Sequence, residues 1–120
     1  MNNLDVKEAK SRDFSVRIVN LCRYLNDKKE YVMSKQLLRS GTSIGANIAE
    51  AKYSESSVDF IHKIYVALKE ANETEYWLDI LYKTNYITEN QYKSIVSDSR
   101  ELIKILSAIT KTGRKSQESN

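Results

Sequence analysis

The chain has 120 residues, a formal net charge of +3 and 41% hydrophobic residues, which is the size and balance of one globular domain. It has no proline and only 3 glycines, so a turn-rich β fold is excluded and long helices are expected. Its single cysteine, Cys22, excludes an internal disulfide and a multi-cysteine metal site. No apolar run approaches the roughly 20 residues of a membrane span, and the first residues lack a signal-peptide pattern, so we expect a cytoplasmic protein.

Two helices are predicted in the first half of the chain. Apolar residues recur at three- and four-residue steps from Ser11 to Asn26, which indicates one buried helix face. Residues 1–10 are expected to form an N-terminal extension. The second helix is predicted to begin near Ser34, which can serve as its N-cap, and to continue to about Lys52.

The third helix is the longest of the predicted elements, from Ser57 to Lys83. Ser56 and Asp59 have the spacing of a capping pair, whose side chains can satisfy free backbone amides at the start of a helix. Asn85 marks the end of this helix.

The fourth helix is predicted to open at Thr88, with Gln91 in the capping-box position, and to end at Gly113. Residues 113–120 are expected to be a flexible tail. Because the connections are short, consecutive helices must run antiparallel. The sequence therefore predicts an all-α fold, an antiparallel up-down-up-down four-helix bundle over residues 11–112.

The second helix carries an unusual stripe of small residues. Gly41, Gly45 and Ala49 lie four apart and form a smooth groove on one side of the helix. A glycine inside a helix costs about 1 kcal/mol relative to alanine. Such a cost is tolerated where a neighbouring backbone comes close, so we expect close helix packing along this groove.

A polar row runs beside that groove at the same helical spacing, formed by Arg39, Ser43, Asn47 and Glu50. Buried polar groups must be hydrogen-bonded, so the row indicates a network that fixes the register of the bundle. Carboxylates near the middle of the third helix are the expected partners, and these include Glu70 and Glu73. The alternative is a small polar ligand site between the two helices.

Charge alternates along the chain. The segment from Arg12 to Arg39 has 7 basic and 3 acidic side chains, that from Glu50 to Asp79 has 3 and 7, and that from Lys93 to Lys115 has 6 and 2. Either helices of opposite sign lie side by side, or the first and last helices form a basic face that meets phosphates. The candidate phosphate contacts on such a face are Arg12, Arg17, Arg23, Lys28, Lys29, Arg100, Lys104, Lys111, Arg114 and Lys115.

Two runs carry a resemblance to a known family. The run QLLRSGTSIGANIAEA at positions 36–51 and the run ALKEANETEYWL at positions 67–78 resemble the two signature blocks of the bacterial four-helix-bundle family named for 23S rRNA intervening sequences. The resemblance covers nearly the whole chain. It implies an antiparallel four-helix bundle that assembles as a ring-like homopentamer, and it does not imply an enzymatic activity. Relatives of that family include the accessory protein of diversity-generating retroelements, which works with a reverse transcriptase and binds nucleic acid.

No catalytic or cofactor-binding constellation is indicated by the sequence. The segment around Ser43 matches a G-x-S-x-G nucleophile pattern, but that motif needs a preceding strand and a histidine base, whereas its flanks here are helical. We therefore expect a non-enzymatic homo-oligomeric assembly or adaptor module that needs no cofactor. The alternative is an accessory protein that binds RNA or DNA, and a ligand-binding or enzymatic bundle built on the polar row is a third hypothesis.

Overall fold

Four helices joined by short turns form the part of the chain that the structure describes. The computed structural model describes the backbone of residues 3–118 and the side chains of residues 6–116. The helices are α1 (Asn3–Asp27), α2 (Val32–Ala51), α3 (Ser57–Lys83) and α4 (Glu89–Glu118), and no strand occurs between residues 3 and 118. The predicted all-α fold with four helices is confirmed.

The helices pack antiparallel in chain order. Glu8, early in α1, pairs with Lys52 just beyond the end of α2, whereas Cys22, late in α1, contacts Ser34 near the start of α2. Each helix packs on the next, and α1 also contacts α4, which closes the bundle. The diagonal pairs, α1 with α3 and α2 with α4, do not touch within the described backbone. The result is a rod of 51 × 26 × 22 Å.

Helix α1 begins earlier than predicted. It starts at Asn3 rather than at Ser11, so residues 3–10 belong to the helix and are not an extension. Its first turns are held by contacts with distant residues, since Glu8 pairs with Lys52 and Lys10 pairs with Glu101 of α4. Residues 1 and 2 lie outside the described part of the chain.

The other end of the bundle also differs from the prediction. Gly113 does not terminate α4, which continues to Glu118. A Cβ atom at position 113 would overlap the side chain of Ile61 on α3, so Gly113 lies where two helices approach closely. Residues 114–118 are helical, and residues 119 and 120 of the expected tail lie outside the described residues.

The start of α2 is capped by Glu30 rather than by Ser34, which corrects the predicted N-cap. Tyr31 occupies the N-cap position without a side-chain hydrogen bond. The buried carboxylate of Glu30 accepts hydrogen bonds from the backbone amides of Val32 and Met33, at 3.1 and 2.9 Å, and from that of Ser34 at 3.3 Å. A carboxylate is well placed there because the amide end of a helix carries partial positive charge.

The predicted caps of α3 and α4 are present. The Ser56 side chain accepts a hydrogen bond from the Asp59 backbone amide at 3.1 Å. Thr88 and Gln91 form a reciprocal capping box, with each backbone amide donating to the side chain of the other residue. These short-range bonds fix where the two helices begin.

The ends of α1 and α3 share one turn geometry. Lys29 and Asn85 both have positive φ, 63° and 68°. The amide of the residue that follows each of them donates back to a helix carbonyl five positions earlier, Glu30 to Leu25 and Tyr86 to Leu81, at 2.9 Å in both cases. These are Schellman turns, in which the positive-φ residue ends the helix.

The core lies along the bundle axis and is almost wholly aliphatic. One aromatic side chain, Phe14, is among the fully buried residues. The other large side chains buried to the same degree are those of Ile18, Leu25, Leu37, Ile44, Ile48, Ile64, Leu78, Leu81, Leu102 and Leu106. The hydrophobic effect of burying this set is the main stabilising contribution to the bundle.

Candidate functional site

The small-residue stripe of α2 faces α1. A Cβ atom on Gly41 would lie 2.8 Å from both γ-carbons of Ile18, which is fully buried. A Cβ atom on Gly45 would meet Ser15 Oγ at 3.2 Å and the Ser11 carbonyl oxygen at 3.3 Å. The two glycines therefore let α1 approach α2 more closely than larger residues would.

Ala49 lies further along the same side of α2. It lines a small cavity between α1 and α2 together with Gly45, Ala46, Glu8 and Ser11. The third position of the stripe thus also faces α1.

Arg39 joins α2 to α3. Its guanidinium donates to Glu70 Oε2 at 3.1 Å and also pairs with Glu73. Glu73 Oε2 in turn accepts a hydrogen bond from the Trp77 indole at 3.0 Å. The structure therefore brings Arg39, Glu70 and Glu73 together, although the Arg39 side chain is half exposed rather than buried.

The remaining members of the polar row do not form one network. Ser43 Oγ donates to the Arg39 carbonyl at 2.6 Å and Asn47 Nδ2 donates to the Ser43 carbonyl at 2.8 Å, so both bond to their own helix. Glu50 is exposed and forms an ion pair with Lys63 of α3 at 3.2 Å. Ser43, Asn47 and Glu50 therefore have separate partners and do not bond to one another's side chains within the described structure.

A buried hydrogen bond between α2 and α3 was not predicted. Ser40 and Thr74 are both fully buried, and their hydroxyl oxygens lie 3.0 Å apart in a hydrogen bond. Thr74 Oγ1 also bonds the Glu70 carbonyl at 2.8 Å. The sequence offered one signal for this bond, since each of the two adjacent helices has a polar residue at a core-facing position. It does not show which two residues meet.

Several of the ten basic candidates for phosphate contact are engaged with other side chains. Arg12 pairs with Glu8, Arg17 with Asp98, and Arg100 with Glu75. Lys28 lies over the ring of Tyr24 and Arg114 over the ring of Tyr65, each 4.6 Å from the ring centroid. Of the ten candidates, Arg23, Lys29, Lys104 and Lys111 are exposed and form neither an ion pair nor a ring contact with the side chains described.

Opposite charges meet across every pair of neighbouring helices. The pairs join α1 to α2, α2 to α3, α3 to α4 and α1 to α4, and they are Lys52–Glu8, Arg39–Glu70, Lys63–Glu50, Arg100–Glu75, Lys10–Glu101 and Arg17–Asp98. The alternation of charge along the sequence therefore corresponds to pairing between adjacent helices. Most of these pairs are partly exposed, so each contributes little to stability.

The outer face of α2, defined by Val32, Lys35, Leu38, Thr42 and Ala46, is unusual for a solvent-facing surface. Lys35 is its one charged residue, whereas Val32 and Leu38 are 76% and 39% exposed. Ala46 is exposed and Thr42 is small. Few charges together with exposed apolar side chains are typical of the centre of a protein interface.

The Cys22 thiol has low chemical reactivity. Its side chain is buried against α2 and donates to the Ser34 carbonyl at 3.3 Å. Burial raises the pKa of the Cys22 thiol to about 11. The thiol therefore stays protonated near neutral pH and is a poor nucleophile.

Two further features, a metal site and a membrane-spanning segment, are absent from the described residues. No group of His, Cys, Asp and Glu side chains there is arranged to hold a metal ion. None of the four helices, over the same residues, has a segment long and apolar enough to cross a membrane.

The chain belongs to the 23S rRNA-intervening sequence protein family, whose model matches residues 2–108. It is similar to a solved structure described as a protein with unknown function from the S23 ribosomal protein family of Bacteroides thetaiotaomicron. That chain is 60% identical, the match covers 90% of this chain and 97% of the other, and the TM-score is 0.88. No curated protein matches the chain. These matches confirm the family predicted from the two signature runs, while the link to retroelement accessory proteins stays a prediction.

Proposed function

We propose that this protein is a non-enzymatic assembly module of the cytoplasm, which associates with copies of itself through the outer face of α2. The observation that carries the proposal is that α2 has only three charged residues, Lys35, Arg39 and Glu50. Two of them are engaged with α3. The outward surface is then left with Lys35 among small or apolar side chains.

The small residues on this face have a physical consequence. Thr42 and Ala46 allow another helix to approach closely, and burying Val32 and Leu38 removes exposed apolar area from water. A monomer would leave that area solvated. The family resemblance adds the expectation of a ring of five copies, in which each copy uses two different surfaces.

The experiment introduces a charge at the C-terminal end of this face. Ala46→Glu places a carboxylate in the proposed interface, and Ala108→Glu places one at an exposed alanine of α4. We expect Ala46→Glu to weaken self-association by about tenfold or more, because a buried unpaired charge costs about 2 kcal/mol or more. Ala108→Glu should leave it unchanged.

Sedimentation velocity measures the association, and circular dichroism checks that both variants keep the helical content of the parent. Self-association that survives Ala46→Glu would place the interface elsewhere. An equal effect of both substitutions would attribute it to net charge instead.

A second candidate function is nucleic-acid binding, favoured by four of the candidate cations, Arg23, Lys29, Lys104 and Lys111, which are exposed and form no ion pair or ring contact with the side chains described. The ion pairs argue against a strong basic face, because carboxylates neutralise three of the candidate arginines. Affinity for a structured RNA should fall steeply with salt if phosphates are bound. Binding that is undetectable or insensitive to salt would eliminate this function.

A further inference from the structure

The seam between α1 and α4 is the most open of the four helix–helix contacts. These two helices share the thinnest packing of any neighbouring pair. A cleft of about 560 Å³ opens between the C-terminal half of α1 and the first turns of α4. Its lining residues are Arg17, Asn20, Leu21, Tyr24, Asn90, Gln91, Ser94 and Ile95. A volume of this order can hold a small organic molecule.

The floor and one wall of the cleft suit a flat ring. Leu21 and Ile95 provide apolar side chains from opposite helices. Tyr24 is half buried beside them. Planar heterocycles bind against aromatic and apolar surfaces of this kind.

Primary amides stand at the mouth of the cleft from both helices. Asn20 on α1 and Asn90 on α4 are exposed, and neither forms a hydrogen bond with any residue that the structure describes. Gln91 uses its carbonyl oxygen to cap α4 and its side chain also hydrogen-bonds Tyr24, so the free amides are those of Asn20 and Asn90. An amide offers a donor and an acceptor side by side, the arrangement that pairs with the edge of a nucleobase.

Positive charge lies at the edge of the same cleft. Arg17 is held by Asp98 at 2.5 Å, by Ser94 Oγ at 2.9 Å and by the Ser94 carbonyl at 3.3 Å, and its guanidinium has further N–H groups beyond those three bonds. The Lys28 ammonium lies 4.6 Å from the centre of the Tyr24 ring. A hydrogen bond from Lys28 lowers the pKa of Tyr24. Although Asp98 offsets the charge of Arg17, the remaining N–H groups of Arg17 and the Lys28 ammonium can still donate to an anionic group such as a phosphate.

We propose that the α1–α4 cleft binds a nucleotide, with its base held between the free amides and its phosphate near Arg17 and Lys28. The base would lie on Leu21 and Ile95. A neutral sugar would leave the cations unused, and an apolar ligand would leave the amides unpaired. The same chemistry is offered by a free mononucleotide and by one unit of a single strand.

This cleft is separate from the proposed self-association surface. α2 and α4 are diagonal in the bundle and share no backbone contact in the described residues. The nucleotide proposal therefore does not depend on the assembly proposal, and each can fail alone.

The test is an NMR titration of the full chain with each common ribonucleoside 5′-monophosphate and with a short single-stranded oligoribonucleotide. We expect shifts at Asn20, Leu21, Tyr24 and Asn90 with a Kd of about 1 mM or tighter for at least one probe. Asn20→Ala combined with Asn90→Ala should weaken that binding about tenfold, since two hydrogen bonds are lost. The control is Asn72→Ala, which removes an exposed amide of α3 that bonds only its own helix.

The two sources of the nucleotide give different results. A free nucleotide predicts that the monophosphate and the oligonucleotide bind with similar affinity. A single strand predicts tighter binding of the oligonucleotide, with a steeper salt dependence because more phosphates are contacted. Absence of shifts in the cleft with every probe, or binding that the double variant leaves unchanged, would overturn the proposal.

Discussion

Lys29 shows how one backbone position sets the end of a helix. Its φ of 63° lies in the left-handed region, which disfavours side chains that carry a Cβ. Asn85 holds the equivalent position after α3, where asparagine is better tolerated. The sequence indicated Asn85 as a helix end, but nothing about a lysine marked position 29. A Lys-Lys pair there shows only that the segment is polar.

Lys29→Gly should raise the free energy of unfolding by about 0.5–1 kcal/mol, because glycine adopts this conformation without strain. Lys28→Gly is the matched control, since residue 28 does not have positive φ. It should lower stability, because glycine gives the unfolded chain more conformational freedom and the contact of Lys28 with the Tyr24 ring is lost. Urea denaturation measures both variants, and a loss of stability in Lys29→Gly would show that the turn does not favour glycine.

Two buried serines should respond in opposite directions to removal of the hydroxyl. Ser40 is hydrogen-bonded to Thr74, so Ser40→Ala should cost about 1 kcal/mol. Ser99 is fully buried, and its Oγ has no hydrogen-bond partner in the described structure. Ser99→Ala should therefore stabilise the protein by about 1 kcal/mol. Denaturant midpoints compare the two, and destabilisation by Ser99→Ala would mean that its hydroxyl is satisfied.

At the scale of the helices, the sequence predicts a helix boundary correctly where the residues that fix it are neighbours in the sequence. The predicted bounds of α3 match the observed Ser57–Lys83 because its start is capped by Ser56 and its end by the turn at Asn85. The N-terminus of α1 was placed too late because distant residues hold it, as in the Glu8–Lys52 pair. A contact so far apart in sequence leaves no trace in local periodicity.

The glycines of α2 and α4 also show that contacts between distant residues cannot be predicted from the local sequence. Gly113 was interpreted as a terminator, because a glycine near a helix end is usually one. Its role depends on Ile61, a residue of another helix that only the fold brings beside it. Gly41 and Gly45 were assigned to close packing because their spacing was unusual, but their neighbour, α1, could not be named from the sequence.

Gly41→Ala should destabilise the protein more than Gly45→Ala does. Its new methyl group would lie 2.8 Å from two carbons of the fully buried Ile18, and overpacking of this kind costs about 1–3 kcal/mol. At Gly45 the nearest atoms are 3.2–3.4 Å away. There, the gain of about 1 kcal/mol in helix propensity should offset most of the cost.

Thermal and urea unfolding rank the two glycine variants. Ile18→Ala should cost less in the Gly41→Ala background than in the parent chain, because it removes the atoms that the new methyl group meets. Equal stability of the two single variants would contradict the proposed closeness of α1 at Gly41.

At the scale of the whole molecule, the bundle uses its charges between its own helices. Arg17 is held by Asp98 and Arg100 by Glu75, although both arginines were candidates for phosphate contact. The sequence showed that the segments alternate in sign, but it could not show which individual charges meet. What remains largely uncharged at the surface is the outer face of α2, and this is the basis of the assembly proposal.

The native mass of the full chain in solution is the most direct test of self-association. Native mass spectrometry at micromolar concentration should find a multiple of the 13.9 kDa chain, and a closed ring of five would have a mass of about 70 kDa. A single species of 13.9 kDa at that concentration would contradict the account.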